Sequence, residues 1–339
     1  MAYSAIADAG SRIFIVIVAG IAMVLGASVE LALLAFPLSA LLVVAILARL
    51  SSAEFGRPVP RIDLRDYFTL LREALPFFIN VGLTVVYTRV GILILRSTST
   101  ADEVGVFASA ERLVMAASIL YATFAQAVYP AMVRLFAQDK AAFSQLIHRS
   151  ARLILLVCLP MATLLFLFAE DIIVGLFGAP FRDASRILQV VAWLLAFRGI
   201  TAILINIAIA VDRQSMVVWS NVAGLAVLVA SSLVLTPSHG AFGLAVALII
   251  AQSIKSTAIY WLLRSSGHLP GLARIALPVA AACAATAALA SALSDAGLLA
   301  RSATVLVAGL ALLYLFRAVR TDDFVYAYKL LSTRSAKGN

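Results

Sequence analysis

A chain of 339 residues that is 63% hydrophobic, only 13% charged and of mean hydropathy +1.04 is too apolar for a soluble domain, where about 45–50% apolar and about 25% charged residues are usual. Its formal net charge of +9 would suggest nucleic acid in a soluble protein, but here the basic residues fall in short connections suited to anionic headgroups, so no nucleic-acid partner is expected. The two cysteines, Cys158 and Cys283, lie inside apolar runs and read as small hydrophobes rather than a disulfide or metal pair.

Ten apolar runs follow one another: Ile13–Ser28, Leu31–Ala48, Ala74–Leu95, Gly105–Ala131, Leu153–Ala169, Ile187–Val211, Met216–Leu235, Ala241–Leu263, Leu272–Leu293 and Ser302–Phe316. A spanning helix needs about 20 mainly apolar residues, so the shorter runs must borrow flanking positions. The fold class expected is all-α, a polytopic membrane bundle. Met1–Gly10 has no basic residue and the first run is followed at once by a second, unlike a cleavable signal peptide.

Between the second and third runs lies Arg49–Arg72, where Gly56-Arg57-Pro58-Val59-Pro60 cannot continue a helix. Residues 49–73 are therefore expected to be a linker, with two helices before it and eight after it. Within it, Ile62–Phe68 mixes polar and apolar residues in a way suited to the membrane interface. The other connections are short and leave no room for a folded external domain. Tyr129, Trp219, Tyr260 and Trp261 sit near one end of their runs, where amphipathic aromatics belong.

The basic residues alternate with the runs. One side holds Arg12, Arg49, Arg57, Arg61, Arg65, Arg72, Arg134, Lys140, Arg149, Arg152, Arg213, Arg264, Arg274, Arg317, Arg320, Lys329, Arg334 and Lys337; the other holds Arg96, Arg182, Arg186 and Arg301. Cytoplasmic connections are rich in Lys and Arg, so the first side reads as cytoplasmic, with both termini there.

Four basic residues fall inside runs: Arg89, Arg112, Arg198 and Lys255. Each costs about 2.5–3.5 kcal/mol at a helix centre on insertion scales, so each should face the bundle interior, water or a partner. At about 1.5 Å per residue, Arg89 and Arg112 come to similar depths on successive antiparallel helices. Two guanidiniums at one level suit a phosphate, which they can engage bidentately. The alternative is structural: Glu111 pairs with Arg89 and neutralises it. Arg198 falls near mid-helix, and Lys255 nearer the cytoplasmic end, where it is expected to snorkel. Asn80, Gln126, Asn206, Asn221 and Gln252 read as polar links between helices.

Signatures of chemistry are missing. There is no Walker-type phosphate loop. His148, His239 and His268 fall in three different connections, and Asp102-Glu103, Glu170-Asp171 and Asp295 in different outer loops. Neither an enzyme nor a cofactor or metal site is expected.

From Leu71 onward the chain resembles Wzx-type oligosaccharide flippases, the polysaccharide-biosynthesis branch of the superfamily that includes MATE exporters and the lipid II flippase. The resemblance is carried by Leu71-Arg72-Glu73-Ala74-Leu75-Pro76 opening one helix, and by Val104–Leu113 opening the next, which Pro130 closes. Leu176–Phe181, Ala210-Val211-Asp212-Arg213 and Gly240–Ala245 follow in order. The acid often found after Arg89 in the family is replaced by Val90 and Gly91. The resemblance implies two facing six-helix lobes joined by a cytoplasmic linker, often with two extra helices. On that frame residues 1–48 would be the last two helices of a partial first lobe, 49–73 the linker, 74–264 the second lobe, 272–316 the extra pair and 317–339 a cytoplasmic tail. About four helices of the first lobe would be lacking, as in a fragment.

The activity implied is movement of an undecaprenyl-pyrophosphate-linked oligosaccharide from the inner to the outer leaflet of a bacterial inner membrane, for O-antigen or exopolysaccharide assembly. Implied partners are that lipid-linked oligosaccharide, the bilayer, a polysaccharide polymerase and a chain-length regulator. Arg89, Arg112 and Arg198 would hold the pyrophosphate, with Lys255 and Glu111 secondary. The alternatives are a MATE-like multidrug exporter, disfavoured because Glu111 is the one carboxylate well inside a run, and a truncated scaffold that does not transport.

Overall fold

The computed structural model describes residues 34–55, 64–264 and 271–292, together with positions 10–11, 13–18, 20–22, 26, 267, 269, 307 and 311. The expected last helix, Ser302–Phe316, and the tail after it lie outside the described residues apart from two single positions. The described residues form helices and no strand. They are α1 (Ala35–Phe55), α2 (Leu64–Thr98), α3 (Ala101–Gln138), α4 (Lys140–Leu167), α5 (Ala169–Phe177), α6 (Ala184–Val191), α7 (Leu194–Ala210), α8 (Gln214–Leu263) and α9 (Leu272–Ala292). Among them, six stretches are long and apolar enough to cross a membrane: Phe78–Thr98, Ala101–Gln138, Lys140–Leu167, Ala184–Ala210, Gln214–Leu263 and Leu272–Leu289. The chain is a polytopic helical membrane protein.

Two compact units divide at Leu71 and Arg72. In the first, α1 presents mostly exposed side chains, and Ser39 Oγ donates to Phe36 O at 2.7 Å. In the second, α7 packs against α3, α4 and α8, and α9 packs against α4. Phe107, Met132, Phe143, Ile147, Leu188, Ile203 and Leu204 fill its core. Gly199 lets α7 approach α4 closely, since a Cβ there would meet Ile154 Cγ2 at 2.8 Å and Cys158 Sγ at 2.9 Å.

The helices run further than their apolar cores. α2 begins at Leu64, so of the expected linker only 56–63 falls outside the described helices. Pro130 does not close α3, which continues to Gln138. The polar stretch expected to be a loop between α3 and α4 is helix on both sides of one extended residue, Asp139, with φ −151° and ψ 102°. Asp139 Oδ1 accepts from the amides of Ala141 and Ala142 at 2.9 and 3.0 Å, capping α4. Phe136 and Phe143 pack edge to face across the bend at 5.3 Å, and Lys140 Nζ lies 3.1 Å from the Phe136 ring centroid. His148 is consequently a helical residue, its Nδ1–H donating to Ser144 O at 2.8 Å.

Two turns follow from backbone chemistry. After α7, Asp212 adopts φ 57°, Asp212 N donates to Ile209 O at 3.1 Å and Arg213 N to Ala208 O at 2.8 Å. This is a Schellman-type stop, with aspartate in the left-handed position. The two expected runs 216–235 and 241–263 are the halves of α8, broken at Gly240 with φ 54° and ψ −135°. Thr100 and Glu103 have capping-box spacing at the start of α3, and Glu103 N donates to Thr100 Oγ1 at 3.4 Å. The Glu103 carboxylate reaches elsewhere: its Oε2 accepts from Ala241 N at 2.9 Å and caps the second half of α8.

A Cβ at Gly240 would collide with the Glu103 carboxylate, and its φ disfavours any other residue. Gly240→Ala is expected to cost about 1–3 kcal/mol and Glu103→Ala about 1 kcal/mol through the lost cap. Glu103→Gln, which keeps an acceptor, should cost less. Thermal unfolding in detergent checks that order.

Candidate functional site

Hydrocarbon offers no hydrogen bonds, so polar side chains in spans must satisfy one another. Inside the second unit they do so across helices. Tyr87 Oη on α2 donates to Gln252 Oε1 on α8 at 3.2 Å. Gln252 Nε2 donates to Thr201 Oγ1 on α7 at 3.2 Å and to Ser256 Oγ at 3.4 Å. Thr201 Oγ1 and Ser256 Oγ lie 2.7 Å apart. Lower on α2, Asn80 Oδ1 accepts from Asn221 Nδ2 at 2.6 Å, and Asn206 Nδ2 donates to Ala125 O on α3 at 2.8 Å. Four of the five polar residues expected to link helices do so; Gln126 is exposed.

Lys255 adjoins this belt. It is 9% exposed, and its stem lies on Gly224 of the other half of α8, where a Cβ would stand 2.9 Å from Lys255 Cβ. Its ammonium is 4.9 Å from the Tyr87 ring centroid, a cation–π arrangement. The expected snorkelling does not occur, because the gap left by Gly224 draws the chain inward.

Arg198 is half-buried on α7. Its charge acts on Glu111 and Tyr121 of α3, on Tyr87 of α2 and on Lys255 of α8. The structure thus brings Arg198, Lys255 and Glu111 together in the bundle, while Arg89, exposed on α2, acts on Glu111 alone. Among the described residues none of these four, nor Arg112, closes an ion pair within 4.0 Å. The neutralising Glu111–Arg89 pair is not formed. Arg112 departs from expectation: it is exposed, turned about 100° around α3 from Glu111, and is not among the charges that act on Glu111.

Sequence reasoning passed over Tyr87, Tyr121, Thr201 and Ser256. The signal available was Ser256 four residues after Gln252, one helical turn on. Arg198 lines neither of two cavities of about 600 Å³ and 620 Å³: one borders Arg72, Asn80, Asp212 and Trp219, the other Arg186, Trp193, Phe197 and Phe242.

The fold is similar to the solved structure titled "Lipid II flippase MurJ, inward closed conformation", with TM-score 0.72 and 16% identity, over 95% of this chain and 68% of that one. The chain thus shares the fold of that structure. Residues 1–136, which carry Arg89, Glu111 and Arg112, match the family model described as "Polysaccharide biosynthesis protein". The family pattern thus covers residues 1–136, and the likeness in fold extends over 95% of the chain. The pattern reaches back to residue 1, beyond the Leu71 at which the resemblance was legible. No curated protein matches the chain.

A buried ammonium without a carboxylate partner costs folding energy. Lys255→Met, similar in length and uncharged, is therefore expected to leave the unfolding temperature in detergent unchanged or higher. A fall of several degrees would mean that the cation–π contact with Tyr87 outweighs that cost.

Proposed function

We propose that this chain moves an undecaprenyl-pyrophosphate-linked oligosaccharide across a bacterial inner membrane for O-antigen or exopolysaccharide assembly. The observation that carries the reading is the half-buried Arg198 together with the buried Lys255, with Glu111 the one carboxylate acting on that charge, on a fold similar to that of a lipid flippase. A pyrophosphate headgroup cannot cross hydrocarbon unaided, and guanidinium contacts replace the hydration it loses. Moving anionic charge out of a negative-inside cell is favoured by about 2.3 kcal/mol per charge per 100 mV.

In this reading Arg198 holds the pyrophosphate, Arg89 and Lys255 extend the positive field, and Glu111 moderates it. Arg112, on the exposed face of α3, meets the headgroup at another stage of the movement. The basic excess on one set of connections puts both termini in the cytoplasm. A polymerase and a chain-length regulator would receive the product. The scarcity of in-span acids disfavours the cation-exporter reading.

The test is movement of a fluorescent lipid-linked oligosaccharide in vesicles containing the purified chain. Arg198→Gln is expected to slow it about tenfold or more, the scale of one lost charge-assisted hydrogen bond. Arg198→Lys should recover part of the rate. Equal rates for wild type and Arg198→Gln would remove the proposed role. No movement by a folded wild-type chain would favour the scaffold reading.

A further inference from the structure

The cavity of about 600 Å³ opens where α2 passes the turn between α7 and α8, within the size of about 300–1,000 Å³ usual for ligand pockets. One contact sets its levels. Asn80 Oδ1 accepts from Asn221 Nδ2 at 2.6 Å, so these residues of α2 and α8 lie at one depth. Arg72 precedes Asn80 by eight residues and Asp212 precedes Asn221 by nine. At the helical rise both therefore stand about 12 Å from the asparagine pair. Both line the cavity and both are exposed, so they form its mouth.

Neither charge is engaged by the protein. Among the described residues Arg72 and Asp212 close no ion pair within 4.0 Å, with each other or with a neighbour. Deeper in, Asn80 has its Oδ1 occupied by Asn221, which leaves its Nδ2 to donate. Leu75 and Ile79 follow Arg72 at spacings of three and seven residues, on its face of α2, and Val218 faces the same cavity from α8. Trp219, exposed on α8, completes that wall. The described lining charges, one cation and one carboxylate, sum to zero. A carboxylate at the mouth repels an anionic headgroup and suits a zwitterion.

A charged mouth over an amide donor and aliphatic walls follows the order of parts in a phospholipid. We propose that this cavity seats a lipid of the phosphatidylethanolamine class. Its phosphate lies on Arg72, its ammonium donates to the Asp212 carboxylate, an ester carbonyl accepts from Asn80 Nδ2, and an acyl chain lies on Leu75, Ile79 and Val218. A primary ammonium keeps the N–H donors that choline lacks, so Asp212 gives the site its choice of headgroup. The site shares no residue with the Arg198 cluster and does not rest on the transport reading.

The experiment titrates the full chain in detergent with acyl-labelled phosphatidylethanolamine, phosphatidylcholine and phosphatidylglycerol, and adds soluble phosphoethanolamine as a separate arm. Phosphatidylethanolamine is expected to bind about tenfold more tightly than the other two lipids, the scale of one hydrogen bond to a charged group. Asp212→Asn keeps a residue that accepts the left-handed backbone and should lower phosphatidylethanolamine to the level of phosphatidylcholine, whose own binding stays the same. Arg72→Gln should weaken both zwitterionic lipids equally, since both offer a phosphate. Arg134→Gln, an exposed arginine outside the cavity, should alter neither. Equal binding of phosphatidylethanolamine and phosphatidylcholine by the wild type overturns the proposal, a result that needs no variant to fold. So does a preference that survives in folded Asp212→Asn, or tighter binding of phosphatidylglycerol. Binding of phosphoethanolamine without saturable binding of the labelled lipid overturns the lipid assignment.

Discussion

Gln252 occupies the position on which the second unit most depends. Its amide accepts from Tyr87 on α2 and donates to Thr201 on α7 and to Ser256 on its own helix. In water such bonds would be exchanged for solvent at small cost. Inside a bilayer there is no solvent to exchange with, so the belt sets the relative level of α2, α7 and α8. Apolar packing alone specifies helix level poorly, because lipid tails compete equally for aliphatic side chains.

Glycines work with that belt. Gly91 meets Leu244, Gly199 meets Ile154 and Cys158, and Gly224 receives the stem of Lys255. Each removes a Cβ at a crossing and lets two helices approach, as small residues do in membrane bundles. The approach at Gly224 draws the Lys255 ammonium over Tyr87 rather than toward an aqueous surface. Close packing and charge placement are therefore one fact here, since the gap that admits the lysine also keeps its charge near the field of Arg198.

The bundle ends are set by backbone capping. Asp139 caps α4 locally, Asp212 ends α7 in a left-handed conformation, and Glu103 crosses from α3 to cap the second half of α8. The first two tie neighbours in sequence. The third joins residues 138 positions apart, so it pins the start of α3 to the break in α8. The Glu103 cap and the Gln252 belt thereby meet on α8, the first tying it to α3 and the second to α2 and α7.

The sequence by itself determined that this is a multi-pass helical membrane protein and which of its polar residues lie within spans. Hydropathy, run length and the placement of Arg and Lys are local properties, and they need no knowledge of neighbours. The stop at Asp212 and the break at Gly240 could be read as turns for the same reason. Helix ends were less legible: α2 starts at Leu64, and α3 passes Pro130 because packing of Phe136 on Phe143 and the Asp139 cap sustain helix where hydropathy falls. Only the tertiary structure decided which charges share a field. Arg112 follows Glu111 in the chain yet turns away from it, while the charge of Arg198, 87 positions after Glu111, acts on it. Helical rotation of about 100° per residue separates sequence neighbours, and packing of α7 against α3 and α8 brings distant residues together.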